Sequence, residues 1–122
     1  MNIPFNIPYT TGQELHYIGQ AIAAHKTAGD GHFTKLCQSW MEEQYGFKKC
    51  LLTTSCTDAL ELAALLIDLK AGDEVILPTY TFVSTANAFA LRGATLVFAD
   101  STAHNPNIDP EAIAALITPK TK

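Results

Sequence analysis

The sequence predicts an α/β fold with a mainly parallel sheet, on three observations. Apolar spacing changes from helical periodicity to short runs near residue 49. Glycine and polar turns then separate every element. Helical segments alternate with those runs in the order β-α-β-α-β-α, which brings consecutive strands parallel and lays helices over the sheet.

The chain opens with an extended lead-in over residues 1–9, because Pro4 and Pro8 disfavour helix at their own and the preceding positions. Thr11-Gly12-Gln13-Glu14 fits a capping box. Leu15, Ile18, Ala21 and Ile22 then share one helical face up to about Lys26. Gly29-Asp30-Gly31 interrupts the chain, with His32 read as a loop residue. Phe33, Leu36, Cys37, Trp40 and Met41 mark a second amphipathic helix ending at Gly46, a residue suited to a left-handed cap. Phe33, Leu36 and Trp40 are expected in the core, and Glu42 and Glu43 on a solvated face.

Cys50 to Thr53 reads as the first strand, followed by a helix from about Thr57 to Leu69 that is apolar nearly all round and therefore expected to be buried. Gly72-Asp73 makes a turn into a strand at Glu74-Val75-Ile76-Leu77, stopped by Pro78. A helix from about Ser84 to Leu91, then Gly93, leads to a third strand at Thr95-Leu96-Val97-Phe98-Ala99. Asp109 before Pro110 is an N-cap followed by a first-turn proline, opening a helix through Ile117. Thr118 to Lys122 reads as the approach to a further strand. Three parallel strands leave exposed edges, so the sheet is expected to be incomplete and the chain a fragment of a larger protein.

Composition limits the functional classes. The 122 residues are 48% hydrophobic and 16% charged, enough for a buried core in a single domain. A formal net charge of −4 with no basic run argues against nucleic acid or an anionic membrane surface as a partner. No apolar run is long enough to cross a bilayer, and the N-terminus lacks a signal-peptide profile, so the expected location is cytoplasmic. Cys37, Cys50 and Cys56 form no Cys-x-x-Cys pair and read as reduced thiols. His16, His25, His32 and His104 show no metal-ligand spacing.

The chemistry concentrates at Thr53-Thr54-Ser55-Cys56-Thr57, where the first run passes into a helix. Unpaired amides of a first helical turn carry the positive end of the dipole and hold anions, and small side chains let a phosphate come close. Ser55 and Thr57 read equally as caps of that helix. Cys56 at a helix start also has the setting of a low-pKa nucleophile, although Lys48 stands where a thiol peroxidase would carry proline. Phe82 reads either as core or as an aromatic platform.

Ser55-Cys56-Thr57, Gly72 through Ala88, Arg92-Gly93-Ala94 and Val97-Phe98-Ala99-Asp100 together resemble the pyridoxal-phosphate sugar aminotransferases of the DegT/DnrJ/EryC1/StrS family. Ile3-Pro4-Phe5-Asn6-Ile7-Pro8, Gly29-Asp30-Gly31 and Tyr80 through Phe89 resemble the branch that forms dTDP-4-amino-4,6-dideoxygalactose for enterobacterial common antigen and lipopolysaccharide biosynthesis. The resemblance implies a fold-type I large domain, with residues 1–48 as lead-in and two helices, and 49–122 as βα units. It implies pyridoxal 5'-phosphate as cofactor, held at its phosphate by Cys56 and Thr57 and stacked on Phe82. It further implies amino transfer from glutamate to dTDP-4-keto-6-deoxyglucose, in a homodimer. None of the seven lysines matches the family's cofactor lysine, and Asp100 is not its pyridine-nitrogen partner, so no catalytic residue is assigned and residues 1–122 alone are expected to be inactive. A non-catalytic remnant that binds only phosphate, and a thiol enzyme using Cys56, are the alternatives.

Overall fold

A computed structural model describes residues 2–122. The chain divides into two compact units, Met1–Leu52 and Thr53–Lys122.

In the first unit, helix α1 spans Glu14–Ala23 and α2 spans His32–Tyr45. Half of the expected capping box forms: the Glu14 carboxylate accepts from the backbone N–H of Thr11 at 2.6 Å and of Gly12 at 2.9 Å. These bonds, the Thr11 amide first, hold the Glu14 carboxyl below its usual range. The Thr11 hydroxyl accepts from Gln13 rather than from Glu14, so α1 begins late. It also stops at Ala23 instead of near Lys26. His25 takes a left-handed φ of 52°, and the bonds His25 N–H to Ile22 O and Lys26 N–H to Ala21 O close a Schellman turn.

Helix α2 ends as expected on Gly46, at φ 68°. His32 is its first residue, not a loop residue, because Gly31 already serves as the N-cap. Trp40 is 54% exposed and Leu36 51% exposed, which corrects their assignment to the core; Phe33 is half-buried, with the Tyr17 ring edge-on to it at 5.6 Å. Glu42 is also reassigned. It accepts from the Cys50 amide at 2.8 Å and pairs with Lys49 at 3.0 Å, and those contacts, the amide first, lower its pKa. The expected strand at Cys50–Thr53 does not form. The Cys50 N–H is spent on Glu42, and no described residue offers that segment a ladder.

The second unit is a βα layer with a parallel sheet. Helix α3 (Cys56–Leu66) leads to β1 (Glu74–Pro78), α4 (Val83–Ala90), β2 (Thr95–Ala99) and α5 (Pro110–Leu116). Strands β1 and β2 pair in parallel from Glu74 opposite Thr95 to Pro78 opposite Ala99. The expected three strands are therefore two, plus the chain's last residues: Thr121 bridges Glu74 on the other side of β1, through Glu74 N–H to Lys120 O and Lys122 N–H to Glu74 O, both 2.9 Å. The Asp109 carboxylate caps α5 through the Glu111 N–H at 3.0 Å, with Pro110 in the first turn as expected.

Ala64, Leu69, Leu77, Ala88 and Ala99 form the core between helices and sheet. Only Ala64 of α3 is buried, contrary to the expectation for an all-round apolar helix. Helix α4 packs on one face of α3, while Leu65 and Leu66 stay exposed.

Two turns align these elements. Helix α3 ends in a Schellman turn on Asp68, at φ 52°, with Asp68 N–H bonded to Leu65 O and Leu69 N–H to Ala64 O. The Gly72 N–H then donates to Gly93 O at 3.2 Å, joining the α3–β1 turn to the α4–β2 turn. A Cβ on Gly93, at φ 83°, would meet Ala71 Cβ at 3.0 Å and Cα at 3.2 Å, whereas Gly72, at φ 91°, has open space beside it. Gly93→Ala is expected to cost about 2 kcal/mol or more, for a left-handed non-glycine residue plus the contact. Gly72→Ala carries only the first cost. Urea unfolding of the two variants checks this: the midpoint falls further for Gly93→Ala.

Candidate functional site

The start of α3 is built by three consecutive hydroxyl residues, each engaged within the turn. Thr53 Oγ1 donates to Ser55 O at 2.7 Å. Thr54 Oγ1 donates to the Asp58 carboxylate. Ser55, with extended backbone at φ −153° and ψ 162°, is the N-cap, and its Oγ accepts from the Asp58 N–H at 3.1 Å. The next amide, Ala59 N–H, already bonds to Ser55 O at 3.2 Å. This leaves the N–H groups of Cys56 and Thr57 without an acceptor among the described residues, together with the Thr57 hydroxyl. Two adjacent amide donors and a hydroxyl at the positive end of a helix match the acceptor oxygens of a phosphate ester.

Phe82 is the N-cap position of α4, at φ −71° and ψ 146°, directly after the turn that leaves β1. Phe82 is 76% exposed, so it is not a core residue. The turn is fixed on both sides: Thr79 N–H donates to Ala99 O at 3.0 Å, and Thr81 Oγ1 donates to Thr85 Oγ1 at 2.9 Å. Helices α3 and α4 pack side by side with their C-terminal turns joined through Gly72 and Gly93. Their N-termini, carrying Cys56 and Thr57 on one and Phe82 on the other, therefore share the end of the layer where β1 and β2 terminate. Ligands of open parallel sheets sit at that end.

The sequence reading assigned no role to Thr54, named there only as part of the hydroxyl run, or to Asp58. Asp58 and Thr54 stand four apart, and their pairing is visible as a Thr-x-x-x-Asp spacing only once the helix start is fixed at Cys56. Hydrogen bonds from the Thr54 hydroxyl, first, and from Ser55 lower the Asp58 pKa from its ordinary 3.8. Since the folded pKa is the lower one, the stabilisation is complete above the unfolded value near pH 4 and is lost as pH falls through the folded pKa. A carbon-detected NMR titration is expected to place the Asp58 midpoint below 3.8, and Thr54→Val to move it back up. An unchanged midpoint would remove the Thr54 contact from the account.

No group of His, Cys, Asp and Glu able to hold a metal occurs among the described residues, and no helix there is long and apolar enough to cross a membrane. Two apolar clefts of the first unit, of about 530 and 710 Å³, are not lined by Cys56, Thr57 or Phe82.

Comparison with known proteins agrees with this architecture. The sequence profile of the DegT/DnrJ/EryC1/StrS aminotransferase family matches residues 9–122, and the chain belongs to that family. GDP-perosamine synthase of Escherichia coli O157:H7 is 32% identical over 120 residues, which is 98% of this chain and 33% of that protein. The aminotransferase from Psychrobacter cryohalolentis superimposes with a TM-score of 0.84 at 31% identity, over 98% of this chain and 31% of that one. The E. coli GDP-4-keto-6-deoxy-D-mannose-3-dehydratase with bound hydrated PLP does so with a TM-score of 0.83 at 25% identity, over 99% and 32%. The chain thus spans about a third of the length of these relatives.

Proposed function

We propose that this chain supplies part of the pyridoxal 5'-phosphate cradle of a sugar aminotransferase. The observation that carries the reading is the pair of free amides at Cys56 and Thr57, on a helix whose neighbour presents an exposed Phe82 at its own start. The cofactor is pyridoxal 5'-phosphate, and the donor set suits it. The Cys56 and Thr57 amides and the Thr57 hydroxyl would take the phosphate oxygens, and the Phe82 ring would offer the pyridine an apolar face that excludes water. When bound, the cofactor supplies the electron sink that amino transfer requires.

The substrate class is a keto nucleotide sugar, with glutamate as amino donor. The finer assignment, dTDP-4-keto-6-deoxyglucose in surface polysaccharide synthesis, rests on Ile3 through Pro8 and the run Tyr80 through Phe89. A cytoplasmic homodimer is the assembly that the family resemblance supports. None of the seven lysines in residues 1–122 fits the family's cofactor lysine, so these residues bind and orient the cofactor without reacting covalently with it. A dehydratase acting on a nucleotide sugar is the second reading, favoured by the match to the E. coli enzyme. A carbon–nitrogen bond in the sugar product, as against loss of a sugar hydroxyl with no nitrogen retained, separates the two.

The phosphate reading is tested by cofactor retention. Thr57→Leu, which fills the space before the amides, is expected to weaken pyridoxal 5'-phosphate binding by about tenfold or more, as loss of one charge-assisted contact with added bulk implies. Thr102→Val removes only a loop bond to Asn105 O and leaves binding unchanged. Equal effects of the two variants, followed by cofactor absorbance through dialysis, would overturn the reading.

A further inference from the structure

We propose that Thr54 is a positioning residue for the cofactor phosphate, acting through Asp58: its hydroxyl holds the Asp58 carboxylate away from the amides of Cys56 and Thr57. This rests on the phosphate reading above. Asp58 occupies the third position of α3. A carboxylate in a first turn is attracted to the same unpaired amides and the same dipole that attract a phosphate, so a free Asp58 side chain is a built-in competitor. It would also repel a bound dianion.

In the structure that carboxylate is already engaged, by the Thr54 hydroxyl first and by Ser55 after it. Thr54 Oγ1 donates to Asp58 Oδ2 from the turn preceding the helix, while the Asp58 N–H is capped separately by Ser55 Oγ. Thr53 Oγ1, bonded to Ser55 O, fixes the turn from which Thr54 projects. With Asp58 engaged at both its amide and its carboxylate, the two amides next to it carry no protein acceptor among the described residues. The hydroxyls of residues 53–55 therefore serve to arrange the site, and only the Thr57 hydroxyl is free to touch a ligand.

The test is binding of pyridoxal 5'-phosphate and of pyridoxal, which lacks the phosphate, measured by fluorescence on the purified protein. Thr54→Val is expected to weaken pyridoxal 5'-phosphate binding about tenfold and to leave pyridoxal unchanged, since the released carboxylate competes only at the phosphate end. Thr54→Ser restores affinity. Adding Asp58→Ala to Thr54→Val restores it as well, because the competitor is gone. A merely structural role for Thr54 predicts the opposite pattern, with both ligands weakened and no rescue by Asp58→Ala, and that result overturns the proposal. If Thr57→Leu weakens binding while Thr54→Val does not, the proposal falls and the phosphate reading stands. If neither variant weakens it, both fall.

Discussion

The close passage of Gly93 against Ala71, sealed by the Gly72 N–H to Gly93 O bond, is the constraint on which the second unit depends. It brings the turn that ends α3 against the turn that ends α4, so the two helices start at the same end of the sheet. A side chain at Gly93 would push these turns apart by its Cβ alone. Both glycines also hold left-handed backbone, which lets each helix reverse into its strand within a few residues. The short connections leave little slack, and the parallel register from Glu74–Thr95 to Pro78–Ala99 follows.

What that alignment exposes is an electrostatic opportunity. Helix starts leave amide donors unpaired, and ordinarily side chains or water take them. At α3 the cap by Ser55 takes the third amide and leaves the first two. At α4 the N-cap position holds no side-chain hydrogen bond, because its occupant is Phe82, an apolar ring facing solvent. One helix start thus keeps donors and its neighbour presents a flat aromatic face. A flat heterocycle bearing a phosphate can use that combination, so the family assignment and the local geometry support the same proposed ligand.

Legibility differed by element. Strand β2, the Gly46 cap and the Asp109-Pro110 helix start could be read because each is set by residues within a few positions: an apolar β-branched run between turns, a glycine at left-handed φ, and an N-cap with a first-turn proline. The strand expected at Cys50–Thr53 failed because a strand needs a partner, and the Cys50 amide found Glu42 instead. Trp40 and Leu36 read as core from spacing alone, yet amphipathic spacing states which face can be buried, not whether anything covers it. The hydroxyl cluster stood out in the sequence as a candidate site, but the division of labour within it did not. Thr53, Thr54 and Ser55 each bond inside the turn, and only coordinates reveal which hydroxyls are spent.

By itself the sequence determined the α/β class and the family, and it marked the segment from Ser55 to Thr57 as a candidate, because periodicity, turn residues and motif are local properties of the chain. Tertiary structure decided which strands pair, which apolar faces stay open, and that the starts of α3 and α4 lie at one end of the layer. Those outcomes depend on contacts between residues far apart in sequence, such as Gly72 with Gly93 and Glu74 with Thr121, whose free energy no local pattern encodes.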